Sequence, residues 1–107
     1  MLPKKNRVDT RSVKKIFQEG KFINSPNLTL KFLKNSDNKT RISFIAPKSL
    51  AKLAVKRNLL RRRGYKALEK YFKDFPLGLT GVFIFKKCQD DINIIEKEIE
   101  SILHKIN

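Results

Sequence analysis

The chain has 107 residues, 40% of them hydrophobic, and its 25 Lys and Arg against 10 Asp and Glu give a formal net charge of +15. One domain spanning residues 1–107 fits this length and hides roughly two-thirds of its unfolded surface without disulfides; the lone Cys88 excludes a disulfide framework or a thiol-rich metal site. So large a positive excess calls for an anionic partner, nucleic acid before membrane, because no stretch approaches the ~20 apolar residues of a spanning helix and no signal-peptide core follows the basic start, so that a cytoplasmic protein without membrane contact is expected.

In chain order, Met1–Arg7 is polar and basic and reads as an extended arm over residues 1–8. Asp9 or Thr10 can cap a short helix, on which Val13, Ile16 and Phe17 share one face and which Gly20 is placed to end. Lys21–Asn24 suits a short strand. Asn27–Leu33 alternates, with Leu28, Leu30 and Phe32 on one side and Thr29 and Lys31 on the other. Asn35–Thr40 reads as a hairpin loop, and Arg41–Ala46 alternates again up to Pro47. From about Ser49 to Phe72 the pattern is helical. Phe75–Gly81 holds Pro76, Gly78 and Gly81 and reads as a loop, and Val82–Phe85 is an apolar run suited to a strand buried on both faces. Asp90 or Asp91 can cap a last helix with its stripe at Ile92, Ile95, Ile99, Ile102 and Ile106, from which Glu96, Glu98 and Glu100 are expected to point away. The strand–helix–strand run from Arg41 to Phe85 implies a parallel pair, and the whole an α+β sandwich: one four-stranded sheet packed with three helices.

The charge is uneven. From Arg41 to Lys73 eleven Lys or Arg oppose one acid, and from Met1 to Lys21 seven oppose two, whereas from Cys88 to Asn107 five acids oppose two Lys. The arm and the middle helix are therefore expected to face the anionic partner, and the last helix to face away from it. On a wheel of about 100° per residue with Leu53 at zero, Leu60, Gly64, Ala67, Leu68 and Tyr71 form the buried stripe. One flank carries Arg57, Arg61, Tyr65, Asn58 and Arg62; the other carries Lys56, Arg63, Lys70 and Lys66.

The first flank suits RNA. Arginine presents a planar donor fork to phosphate oxygens, asparagine can read a base edge or a 2′-hydroxyl, and Tyr65 is expected to stack on an unpaired base. Arg57 lies at the edge of the stripe, where a charge must be held by partners. A basic helix face is commonly a solvated face and nothing more, but the local excess and the net charge outweigh that reading here.

The string Ala54-Val55-Lys56-Arg57-Asn58-Leu59-Leu60-Arg61-Arg62 resembles the "RNR" signature of the bacterial ribonuclease P protein subunit. Leu2–Arg7, Ile16–Lys21, Arg41–Phe44, Pro47-Lys48 and Val82–Phe85 extend the resemblance over nearly the whole chain. It implies a fold like domain 2 of ribosomal protein S5, with a left-handed β-α-β crossover around the signature helix, which is rare among such connections. It also implies binding to the catalytic RNA of ribonuclease P, contact with the 5′ leader of precursor tRNA in a cleft between the first helix and the sheet, and assistance to endonucleolytic removal of that leader. By the same resemblance Arg57, Asn58, Arg61 and Arg62 should face RNA, Phe17 and Lys31 should lie beside the leader, and Arg7 and Lys48 match more loosely placed basic positions. The chain departs from the pattern at Val13, where many members have an aromatic, and at Gly64-Tyr65, where the signature usually continues with another Arg.

A protein nuclease would need a general base, a general acid or a carboxylate metal cage. The single histidine, His104, sits in the last helical turn, and Asp90 and Asp91 read as a cap rather than as metal ligands. No catalytic side chain is expected in the protein, and Mg²⁺ is expected on the RNA partner rather than tightly on the chain. No protein partner is implied. A structural RNA-binding protein, such as a ribosomal protein, is the alternative; a DNA-binding helix leaves Phe17 and the sheet without a purpose.

Overall fold

A computed structural model describes residues 7–8, 10–35 and 38–106. The elements run α1 (Thr10–Glu19), β1 (Lys21–Asn24), β2 (Leu28–Lys34), β3 (Arg41–Ile45), α2 (Ala54–Glu69), a 3₁₀ turn (Phe72–Asp74), β4 (Leu79–Phe85) and α3 (Ile92–Ile106). Most of the arm, Asp9 and the Thr10 side chain lie outside the described residues, as does part of the 35–40 connection. The expected end of α1 holds: the Gly20 N–H donates to Ile16 O at 2.8 Å, and a Cβ there would lie 2.5 Å from that carbonyl. Asp91 caps α3, accepting from the Asn93 N–H at 2.9 Å.

The strands form one sheet in the order β1-β2-β4-β3, with β3 and β4 parallel and the other pairs antiparallel. The expected parallel pair is present. The expected hairpin over Asn35–Thr40 is not, because β4 lies between β2 and β3. Asn35 and Thr40 are instead each tied to the loop before β4, by Asn35 N–H to Gly78 O (2.6 Å) and Thr40 Oγ1 to Pro76 O (2.9 Å). Strand β4 begins at Leu79, inside the segment expected to be a loop, and the apolar run Val82–Phe85 explains its place: six of its seven residues are buried, which only a central strand covered on both faces allows.

Alternation and register then divide the sheet. Leu28, Leu30, Ile42, Phe44, Phe83 and Phe85 face α2 and α3 and form the core with Leu60, Ala67 and Leu68 of α2 and Ile95, Ile99 and Ile102 of α3. Thr29, Lys31, Val82 and Ser43 face the other way, where α1 packs on β2 and β4 through the buried Ile16. The fold is thus a sandwich of four strands and three α-helices, with α1 covering only part of the second face.

Two expectations about the helices need correction. Helix α2 starts at Ala54 rather than near Ser49, because residues 48–50 turn on Pro47, whose carbonyl accepts from the Leu50 and Ala51 N–H groups (3.0 and 3.2 Å). Leu53, outside the helix, is 65% exposed and is not part of the stripe. On α3, Glu98 does not point away: it is 7% exposed and accepts from Ser25 Oγ, Asn27 Nδ2 and the Asn27 N–H (2.7 Å), fastening the β1–β2 turn to the helix. Glu96 and Glu100 lie off the buried stripe as expected, and meet Lys70 (3.8 Å) and the Tyr71 hydroxyl (3.0 Å) beyond the end of α2. Partial burial, and then the bond it donates to Glu100, hold the Tyr71 phenol above its ordinary pKa.

Candidate nucleic-acid interface

Helix α2 is seated by close contact. Gly64 lies against the Phe44 ring, where a Cβ would come within 2.5 Å of ring carbons. Tyr65 follows it into the core. At 1% exposure its ring packs edge-on against Phe44 (centroids 5.1 Å), and its hydroxyl accepts from the Phe44 N–H at 3.2 Å. The expected stacking of Tyr65 on an RNA base is therefore corrected. A long side chain at the margin of the buried sector turns inward because its ring finds the core and its polar tip finds an edge-strand N–H that β4 does not satisfy.

Arg7 lies on the outer side of Tyr65. The Arg7 guanidinium carbon lies 6.0 Å from the Tyr65 ring centroid, and the next residue is fixed to β3 by Val8 N–H to Ser43 Oγ (2.7 Å). Arg7 Nε is buried, with no hydrogen-bond partner among the described residues. A cation that is remote in sequence thus reaches the Arg/Asn flank of α2.

On that flank, Arg57 is held as expected of a charge at the edge of the stripe. Its Nη1 donates to Ala51 O (3.0 Å) and Lys52 O (2.8 Å), which closes the loop that follows the exposed Lys48. Those bonds use one nitrogen, so three of the five guanidinium N–H groups remain for an external oxygen. Asn58 and Arg62 are exposed and Arg61 is half-buried. Among the described residues, no carboxylate pairs with Arg57, Arg61 or Arg62. The opposite flank differs: Arg63 pairs with Asp90 (2.5 Å), Lys70 with Glu96 (3.8 Å) and Lys66 with Glu69 (4.0 Å).

The remaining sequence-predicted residues meet on the other face of the sheet. Phe17 of α1 is 44% exposed, and the Lys31 ammonium of β2 sits 5.0 Å from its ring centroid. The nine predicted residues therefore fall into a cluster at α2 and the arm (Arg7, Lys48, Arg57, Asn58, Arg61, Arg62), a pair between α1 and the sheet (Phe17, Lys31), and Tyr65 in the core. Arg7 and Val8, the latter bonded to Ser43 of β3, stand where the two faces meet.

Sequence reasoning missed Phe22, 63% exposed on β1 directly opposite Lys31. Its signal was the alternation of Lys21–Asn24, which puts Phe22 on the face away from the core residue Ile23. It also missed the exposed pair Val55 and Leu59, one helical turn apart beside Lys56. Among the described residues no group of three or more His, Cys, Asp or Glu could hold a metal ion, and no helix is long and apolar enough to cross a membrane.

Residues 2–107 match the Ribonuclease P family. A ribonuclease P protein component from Finegoldia magna is 33% identical over 95 residues, covering 89% of this chain and 80% of that protein. Among solved structures, the RNase P protein from Thermotoga maritima superposes with a TM-score of 0.82 at 22% identity, covering 94% of this chain and 97% of its own. An RNase P protein from Staphylococcus aureus gives 0.76 at 19% identity, covering 94% of each chain.

Proposed function

We propose that this chain, which belongs to the ribonuclease P protein family, is the protein subunit of an RNA-based endonuclease. It binds the catalytic RNA and the 5′ leader of precursor tRNA, and it assists removal of the leader to give the mature tRNA 5′ end. The observation that carries this reading is the asymmetry of α2. Its Arg57-Asn58-Arg61-Arg62 flank meets no acid among the described residues, while Asp90, Glu96 and Glu69 answer Arg63, Lys70 and Lys66 on the opposite flank. Unanswered, donor-rich arginines on a rigid helix are the chemistry that RNA phosphates require.

The division of labour follows from the layers. The α2 cluster, with Arg7 and Lys48, presents guanidinium and ammonium groups on a surface broad enough for a structured RNA. The Phe17–Lys31 pair offers a ring and a cation to a single strand lying between α1 and the sheet. The residues of the chain orient and hold substrate, and hydrolysis of the phosphodiester is assigned to the RNA with its bound Mg²⁺.

Purified protein should be inactive alone and should raise leader cleavage when mixed with the cognate catalytic RNA at low Mg²⁺. No stimulation there, together with ribosomal RNA as the species that copurifies, would overturn the reading.

A further inference from the structure

The face of the sheet that α1 leaves partly open has a composition of its own. Register and alternation place Phe22 and Asn24 of β1, Thr29, Lys31 and Leu33 of β2, Val82 and Ile84 of β4, and Ser43 and Ile45 of β3 on it. None of these residues is acidic. Within that surface, Phe17, Lys31 and Phe22 form a row: the Lys31 ammonium lies over the Phe17 ring at 5.0 Å, and Lys31 and Phe22 are directly opposed across the β1–β2 pair. Side chains opposed in this way have Cβ atoms about 5 Å apart. The next pair along, Asn24 and Thr29, is joined through Thr29 Oγ1 to Asn24 Oδ1 at 2.7 Å.

A single exposed phenylalanine needs no explanation. Phe22 differs because it is opposed to Lys31, whose ammonium lies over a second exposed ring, among strand residues that include no acid, in a chain of net charge +15. Aromatic rings interleaved with cations are what an unpaired RNA strand recognises: every base has a π-face for the ring, and every step has a phosphate for the cation.

We propose that Phe22 is a second base platform, so that a single-stranded RNA lying across this face stacks one base on Phe17 and a nearby one on Phe22, with the Lys31 ammonium between them. The inference rests on the reading of the chain as a leader-binding subunit and extends it to a residue on the edge strand. Because stacking tolerates all four bases, the second platform lengthens the bound segment without imposing a sequence. It also anchors the strand beyond the cover of α1, on β1.

The chain contains no tryptophan, so Phe22→Trp installs a single indole, excited apart from the two tyrosines, at the proposed platform. Its fluorescence should be quenched by a leader-length single-stranded oligoribonucleotide, with affinity retained. Phe22→Leu keeps an exposed apolar side chain but removes the ring; it should leave thermal stability unchanged and weaken binding of precursor tRNA by the reconstituted complex about 5- to 100-fold, the range of one lost stacking contact. The salt dependence of binding should stay the same, and mature tRNA, which lacks the leader, should bind both proteins equally. Unquenched Phe22→Trp, or equal weakening toward mature tRNA, overturns the inference. If Phe17→Leu and the Arg61 and Arg62 variants still lose affinity in those experiments, the proposed function stands without it; if they do not, and cleavage is not stimulated, the function itself fails.

Discussion

The two flanks of α2 carry similar numbers of cations and opposite surroundings. The Arg63, Lys66 and Lys70 side looks toward α3 and its own helix and finds Asp90, Glu96 and Glu69 there. The Arg57, Asn58, Arg61 and Arg62 side meets no carboxylate among the described residues, and Arg7 beside Tyr65 adds to its charge. A dense basic run in a sequence thus does not amount to a uniform basic surface. Glu96 of α3 and Asp90 just before it, more than eighty residues from Arg7 in sequence but adjacent in space to one flank of α2, decide with Glu69 which half of the charge is left for a partner.

The largest test of that contrast is on RNA affinity. Arg61→Ala with Arg62→Ala removes two charge-assisted contacts worth roughly 1.5 kcal/mol each, so binding of the cognate RNA should fall about 100-fold. The slope of log affinity against log salt should flatten by roughly 1.4–1.8. Arg63→Ala with Lys70→Ala, measured in the same titrations, should leave both quantities near the parent values. Equal losses for the two pairs would break the comparison.

The contrast also depends on α2 being fixed in rotation about its axis, which the contact of Gly64 with Phe44 provides. Gly64→Ala should destabilise the fold by about 1–3 kcal/mol in urea unfolding, the cost of overpacking outweighing the ~1 kcal/mol that alanine gains in a helix. A neutral or stabilising effect would mean that the helix seat is looser than the geometry implies. Smaller still is Tyr65→Phe, which deletes the acceptor of the Phe44 N–H and should cost about 1 kcal/mol of stability. RNA affinity and its salt slope should be unchanged. A drop in affinity at constant stability would return Tyr65 to the interface. The smallest effect is expected of Asp90→Asn. Loss of an exposed pair should change stability by no more than about 1 kcal/mol, while the freed Arg63 slightly steepens the salt dependence of RNA binding.

What could be read in advance follows the physics of periodicity. The alternation of Leu28, Leu30 and Phe32 and of Ile42 and Phe44, the apolar run of β4 and the isoleucine stripe of α3 each report burial directly, and they gave the layers and the parallel pair. The order of the strands was hidden, because a polar run between two alternating segments looks the same whether it closes a hairpin or crosses a third strand. Tyr65 was misplaced because a wheel assigns an angle to a Cα and takes no account of a long side chain that can turn inward. Glu98 could have been found: one step of about 100° before Ile99 and four residues before Ile102, it borders the stripe, but the alternating Glu96, Glu98 and Glu100 suggested a solvated face. Phe22 could have been found from the alternation of Lys21–Asn24, whereas Arg7 owes its surroundings to a chain crossing that leaves no local trace.

The central position of β4 has a further consequence, for the order in which the molecule can assemble. Both of its neighbours, β2 and β3, precede it in the chain and do not pair with each other. Until residues 79–85 are available, the first half of the protein holds a two-stranded ribbon and a separate strand with no bridge between them, and α2 has no completed surface on which to settle. Assembly of the sheet therefore waits on contacts between distant segments, a topology that slows folding. A ribosome emitting this chain releases its arginine-rich helix well before the platform that fixes its orientation. The orientation of that helix is fixed only when the last strand slides into the middle of the sheet.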